Sequence, residues 1–315
     1  MSALVTVVLT VYKRVDYLPE ALQSALAQTF CDKEIIVVDD SGTEAAREIC
    51  APHIASGAII YLPNPTNVGI VSSIREAVKR ASGKYIAILN DDDAWEPEFL
   101  AHVIPPMEAD NSVVLSFCEH WIIDGEGDID EAYSEENPRI YHRDYLAKGA
   151  VPNPSEFVLM HNGVPLAMAS AFRKNAINWS RFTNEIVGAY DFWLSCLLAA
   201  TGQNFYFTPE RLTRYRIHGQ METGRRSIDK FDNKVYIYAT LLELNSFPDY
   251  QAHLQGELAN AKFHAGKDRL YFSKRADARD LFRAAIQLQT KPKYIVAYLL
   301  TFAPQALLKA AKLAT

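Results

Sequence analysis

Apolar and polar positions in the first third of the chain switch between two periods. Leu4 to Thr10, Glu34 to Val38, Ala58 to Leu62 and Tyr85 to Leu89 are short apolar runs, rich in β-branched residues. Between them, Tyr17 to Gln28, Thr43 to Ile54 and Ile70 to Ala81 place apolar residues at helical spacing, as with Leu18, Ala21, Leu22, Ala25 and Leu26. Unbroken apolar strands separated by helices of about three turns predict a mainly parallel sheet covered on both faces. In such a sheet ligands bind beyond the carboxyl ends of the strands, where strand order reverses.

The residues expected at those ends are polar and of a kind. Strand one runs into Thr10-Val11-Tyr12-Lys13-Arg14, strand two into Asp39-Asp40-Ser41-Gly42, strand three into the stretch holding Asn67-Val68-Gly69, and strand four into Asn90-Asp91-Asp92-Asp93. Three adjacent carboxylates repel one another unless a cation shares them, and a hard divalent ion takes one or two carboxylates plus ligand phosphates. The same triplet also suits a solvated turn that caps the helix after Trp95-Glu96-Pro97. Gly69 opens a helix, so it either lets a phosphate approach the backbone amides or serves as a turn glycine. No GxGxxG follows strand one and no GxxxxGK[ST] occurs anywhere. That counts against a dinucleotide oxidoreductase and a P-loop NTPase.

Composition adds bounds. The 315 residues are 49% hydrophobic with a formal charge of -6, an ordinary globular balance that argues against broad binding to nucleic acid. Cys31, Cys50, Cys118 and Cys196 lie far apart without zinc or CxxC spacing, which reads as reduced core thiols in a cytoplasmic protein. The first residues carry no basic region ahead of an apolar stretch, so no signal peptide is expected, and no run is long enough to span a bilayer.

Taken together, Val8 to Arg14, Glu34 to Gly42, Asn67-Val68-Gly69 and Gly83 to Trp95 resemble, in order and spacing, the motifs of family 2 glycosyltransferases of the GT-A fold. The resemblance covers about the first 110 residues. It implies an α/β GT-A fold and an inverting, metal-dependent transfer from a UDP-, GDP- or dTDP-sugar to a hydroxyl of a glycan or lipid-linked acceptor. Thr10 and Tyr12 would flank the base and Asp39 would hydrogen-bond it. Arg14, Asn67 and Gly69 would complete the donor site, with Asp91 and Asp92 as ribose and supporting acids and Asp93 as ligand to Mn²⁺ or Mg²⁺. The family usually reads Asp-x-Asp-Asp here, and this chain has Asn90 at the first position.

Two later stretches extend the likeness. Tyr190-Asp191-Phe192-Trp193-Leu194 resembles the Tyr-Asp-Leu-Trp-Leu core of the family's catalytic helix, and the family's leading Glu-Asp pair falls on Gly188-Ala189. Asp191 is thus the expected general base, with a helix N-cap as its structural alternative and Glu185 as the second candidate. Leu212 to Gln220 resembles the family's Tyr-Arg-x-His ending; in a strand it puts Arg214, Arg216 and His218 on one face. Arg216 would then reach the diphosphate and His218 the metal.

The rest is less specific. Asp124 to Asn137 is acidic and reads as a mobile loop, or a lid in a functional version. Residues 152–170, with their prolines, read as an irregular acceptor-facing segment. Beyond about residue 225 the pattern is helical only, with Phe231 to Leu244, Tyr250 to His264 and Ala276 to Leu288 amphipathic. Residues 294–309 are apolar with flanking lysines, suited either to a membrane interface or to packing on the catalytic domain or a second copy. The expected organisation is a donor half at 1–110, an acceptor and catalytic half at 111–225, and a helical extension at 226–315. The alternatives are a sugar-phosphate nucleotidyltransferase, which should carry a glycine-rich basic loop after strand one, and a degenerate transferase serving as a scaffold.

Overall fold

The computed structural model describes residues 3–165, 167–219 and 230–303. The first four strands form as their apolar runs predict: β1 Val5–Val11, β2 Lys33–Asp39, β3 Ile60–Pro63 and β4 Tyr85–Asn90. The helices between them are α1 Leu18–Leu26, α2 Glu44–Ala55 and α3 Ile70–Arg80. These strands are parallel, and the chain builds outward from β1 through β2 to β3 before returning to place β4 on the other side of β1. That reversal makes the carboxyl ends of β1 and β4 the switch point of the sheet.

The second half is mixed rather than parallel. It contains β5 Ala94–Trp95, α4 Phe99–Ala109, β6 Val113–Ile123, α5 Glu131–Ile140, β7 Gly149–Ala150, α6 Pro154–His161, β8 Ser170–Arg173, α7 Tyr190–Ala199 and β9 Asn204–Arg216. One sheet runs in the order β3-β2-β1-β4-β8-β6-β9-β5, with β8 antiparallel to both β4 and β6, and β6 parallel to β9. The fold is thus a GT-A-type α/β domain with a mixed central sheet and a C-terminal helical extension. Its main core lies between the sheet and α1 and α4, where Leu9, Leu22, Val37, Leu89, Phe99 and Ile104 are buried.

Two expectations need correction. The acidic stretch 124–137 is a tight turn followed by helix α5. Asp124 accepts the amides of Glu126 and Asp128 at 3.0 and 2.9 Å, and Asp130 caps the helix by accepting the Tyr133 amide at 2.9 Å. Residues 152–170 likewise hold α6, because Pro154 stands at the first helical turn, where its missing N–H costs nothing, and Asn153 caps it. Of the cysteines, Cys50, Cys118 and Cys196 are buried and Cys31 is exposed.

The chain divides into two compact units, one of Met1–Asn184 and Tyr190–Gln220, the other of Glu185–Ala189 and Met221–Thr315. The second unit contains α8 Asp232–Glu243, α9 Gln251–Tyr271, α10 Arg275–Leu288 and α11 Pro292–Leu300. Phe263, Leu270, Phe282 and Tyr294 form its core. On α11, Tyr294 and Ala297 face that core, while Ile295, Val296 and Leu299, with Phe302 just beyond, form an exposed apolar ridge; Leu299 and Phe302 are 59% and 58% exposed. Of the expected interfacial segment, residues 304–309 lie outside the described residues, as does Gln220 of the motif after β9. Among the described residues no helix is long and apolar enough to cross a membrane.

Candidate active site

The acid cluster sits in a turn at the carboxyl end of β4, closed by the Asp93 amide donating to the Asn90 carbonyl. Just after it, β5 pairs with β9 and buries Trp95, whose indole N–H donates to the Met168 carbonyl at 2.7 Å and whose ring packs on Phe99. The turn is therefore anchored at both ends. It faces the end of β1 at the switch point.

There the cluster is met by amides and cations. Asp91 accepts the Tyr12 amide at 2.6 Å, and the Arg14 guanidinium pairs with Asp91 at 3.5 Å and with Asp92. Burial pushes the Asp91 carboxyl above its ordinary range, against the pull of Arg14. Asp92 also meets the Nε2 of His218 at 3.1 Å. Burial, reinforced by Arg14 and Arg216, lowers the imidazole's pKa and so favours its neutral form.

Asp93 is more enclosed. It is only 2% exposed; one carboxylate oxygen accepts the Arg216 amide and the other the Asn90 side-chain amide, each at 3.1 Å. Burial raises its pKa to about 6. Asn90 is the hub of this layer: its carbonyl oxygen accepts from Tyr190 at 3.1 Å and from Thr10 at 3.3 Å while its amide serves Asp93. A carboxylate in its place would have no hydrogen to give Asp93. Asn90 thus ties the first residue of α7, next to Asp191, to the end of β4.

Arg216 is held rather than offered. Its side chain is 2% exposed. It donates to the carbonyls of Asp92, Asp124 and Gly125 at 3.0, 3.1 and 3.3 Å and to the Glu20 carboxylate, with its guanidinium over the Tyr17 ring. Arg214 pairs with Glu96 at 2.7 Å. Arg214 and Arg216 at the end of β9 and His218, which lies past the strand, all meet the 92–96 stretch, but Arg14 is more accessible than Arg216 beside the acids.

At the end of β2, Asp39 accepts the Ser41 amide at 2.8 Å and the Tyr61 hydroxyl. It lines a cavity of about 260 Å³ together with Thr43, Arg47, Tyr61 and Asn64. Sequence reasoning missed Tyr61 and Arg47; their signal was a strand, β3, that pairs with β2 and a helix, α2, that begins just past Asp39. Asp40 accepts the amides of Val68 and Gly69 at 2.8 Å each, and Asn67 also receives the Gly69 amide at 3.0 Å. With φ of 84° and ψ of 154°, Gly69 holds a conformation closed to side-chain-bearing residues. That gives the glycine a backbone reason. Asp191 stands in the first turn of α7 and accepts the Phe192 amide at 2.8 Å.

The donor set for a cation is small. Among the described residues no group of three or more His, Cys, Asp or Glu is placed to hold a metal ion. Asp92 and His218 do converge on each other, which fits an ion that takes few protein ligands and completes its shell with phosphate oxygens and water.

Residues 6–158 match the model of glycosyl transferase family 2. An uncharacterized glycosyltransferase of Methanocaldococcus jannaschii is 30% identical over 244 residues, 76% of this chain and 78% of that protein. Another, of Rickettsia prowazekii, is 28% identical over 226 residues, 71% of this chain and 67% of that protein. The structure of S. aureus TarS 1–349 in complex with UDP-GlcNAc superposes with a TM-score of 0.66 at 15% identity, covering 100% of this chain and 88% of that one. That likeness shows the fold. The chain belongs to glycosyl transferase family 2 and is a glycosyltransferase, moving a sugar from a nucleotide-sugar donor to an acceptor. Members of the family typically use a divalent cation.

Proposed function

We propose that this enzyme is an inverting, metal-dependent transferase that moves a sugar from a nucleoside-diphosphate donor to a hydroxyl of a glycan or lipid-linked acceptor. The observation that carries this reading is the convergence of Asp91, Asp92, Arg14 and His218 at the sheet's switch point. The nucleobase would enter the cavity lined by Asp39 and Tyr61, with Thr10 and Tyr12 as the expected flanking residues and Asn67 and Gly69 shaping the loop beyond it. Arg14 leaves Asp92 to meet the diphosphate, since a guanidinium offers a planar donor fork to phosphate oxygens. Arg216 positions the acid turn through its backbone and side-chain bonds.

Mn²⁺ or Mg²⁺ would be held by Asp92 and His218, with Asp93 fixed behind them, and supplies charge neutralisation for the departing diphosphate. In this reading the ligand role expected of Asp93 passes to Asp92, because His218 meets Asp92 directly. Asp191 takes the acceptor hydroxyl's proton. The freed oxygen bonds to the anomeric carbon on the face opposite the departing oxygen, and the bond from that carbon to the diphosphate breaks, inverting the centre. Residues 1–110 then serve as the donor half, 111–225 as the acceptor and catalytic half, and 226–315 as an extension that rests on a membrane surface through α11.

The test pairs binding with turnover. UDP, GDP and dTDP are each added with Mn²⁺ in a thermal-shift experiment, and at least one should raise the Tm, with chelation reducing the effect. Asp191→Asn should keep that rise while lowering kcat by about 10²- to 10⁴-fold, the usual worth of a positioned base. Silence toward all three nucleotides would sink the donor site, and unchanged turnover in Asp191→Asn would sink the base.

A further inference from the structure

A second cavity, of about 520 Å³, lies away from the acid turn and is lined by Arg75, Lys79, Lys174, Asn175, Trp179 and Ser180. Arg75 and Lys79 stand on α3 at roughly 9 and 15 Å along the helix from Gly69, at 1.5 Å per residue. No part of the proposed chemistry uses it. Its volume is that of a small-ligand pocket.

The charge in the cavity is of one sign. Arg75 donates to the Phe182 carbonyl at 3.3 Å and Lys174 to the Ala81 carbonyl at 2.7 Å, and among the described residues neither has a carboxylate within ion-pair distance. Lys79 has Glu76 at 3.3 Å, an exposed i,i+3 pair of the kind that contributes little. Three cations against one carboxylate outside the lining favour an anion, because each retains donors beyond its protein contact. Trp179 is held in place by its N–H to the Lys174 carbonyl at 3.0 Å and by packing on Phe172 and Phe182. A fixed indole in a basic cavity offers an apolar platform for the C–H face of a pyranose, while Asn175 and Ser180 can bond its hydroxyls.

We propose that this cavity binds an anionic saccharide unit, a pyranose bearing a phosphate or a carboxylate. It belongs to the acceptor, an attribution that rests on the acceptor reading above. The site acts as an acceptor subsite remote from the reacting hydroxyl. Arg75 also holds the Phe182 carbonyl, and Ser72 of the same helix bonds Asn184 at 2.9 Å, so the cavity wall and the chain that leads toward Asp191 share one helix.

Binding is tested on the full chain without donor, by calorimetry with glucose 1-phosphate, glucuronic acid, glucose, inorganic phosphate and UMP as probes. One of the two charged sugars should bind, and glucose and inorganic phosphate should each bind about 10-fold more weakly or less, since each lacks one half of the recognition. Preference for glucose 1-phosphate assigns a phosphorylated acceptor, and preference for glucuronic acid assigns a uronic one. Lys79→Gln, an exposed change, and Arg75→Gln should each weaken binding several-fold, and Asp191→Asn should leave it unchanged, which separates this site from the catalytic assignment. Equal binding of glucose or phosphate, tighter binding of UMP, no binding, or binding indifferent to Lys79→Gln and Arg75→Gln with Tm preserved would each overturn the proposal.

Discussion

A buried polar atom without a partner carries a cost that pH can expose, and His120 is the case in point. It stands on β6, 4% exposed, and among the described residues its Nδ1 has no hydrogen-bond partner. Burial, with Arg143 and Arg211 adding to it, lowers its pKa to about 3. The unfolded chain protonates this imidazole near its ordinary pKa of about 6.5, whereas the folded chain excludes the proton until far lower. Stability from this group is therefore complete above about pH 6.5 and falls as pH drops toward the folded value, by about 2 kcal/mol at pH 5. His120→Phe removes the titration. Denaturant unfolding of both proteins at pH 7 and pH 5 should show the wild type losing about 2 kcal/mol more than the variant across that interval; parallel losses would refute the assignment. The acids of the site differ in kind. Burial raises the pKa of Asp93, while the Arg216 and Asn90 amides that donate to its two oxygens favour the charged form and pull the other way.

Between elements, the tightest of the described glycines in the helical unit is Gly266 on α9. A Cβ there would lie 2.6 Å from Cε1 of Phe282 on α10, closer than real contacts allow. Phe282 is fully buried and packed on Phe263, so the ring has no room to swing. Alanine would gain about 1 kcal/mol of helix propensity, but overpacking of this kind costs about 1 to 3 kcal/mol, and the rigid neighbour puts it at the upper end. Gly266→Ala should lower stability by about 1 to 2 kcal/mol. Gly266→Ala combined with Phe282→Leu should regain part of it, and additivity of the two single losses in a double-mutant cycle would exclude the contact as the cause.

The same scale separates what the sequence discloses from what it hides. β1, β2 and β4 are legible because both faces are covered, so their apolar runs are unbroken. Asp39 and Asp91 to Asp93 are legible because each stands where such a run stops. Helix α5 was hidden by its acids, which dominate composition although Asp130 and the first-turn Glu131 are good helix starters. The spent donors of Arg216 were hidden because they depend on the pairing of β9 with β6 and β5, which joins residues more than ninety positions apart. The basic cavity was hidden for a similar reason: α3 and the 174–180 turns share no pattern until the fold sets them side by side.

Across the whole molecule the charge is unevenly spread. The chain carries a formal charge of -6, yet residues 281–315 contain Arg283, Lys291, Lys293, Lys309 and Lys312 and no acid. The apolar ridge of α11 lies within this basic stretch, and Arg279 and Arg283 of α10 cover the rings of Phe302 and Tyr298. An apolar ridge bordered by cations suits an anionic lipid surface better than a second copy of the same ridge, whose cations would repel. The full chain should therefore co-sediment with vesicles of phosphatidylcholine and phosphatidylglycerol more strongly than with phosphatidylcholine alone. Binding should weaken as salt rises from about 0.1 to 1 M and the screening length falls from about 10 to 3 Å. Leu299→Glu removes apolar area and adds a like charge to the lipid's, so it should lower the bound fraction several-fold without changing the Tm of a residue already exposed to water. If the bound fraction ignores lipid charge, or if Leu299→Glu instead dissolves a dimer seen by analytical ultracentrifugation, the ridge meets protein and not membrane.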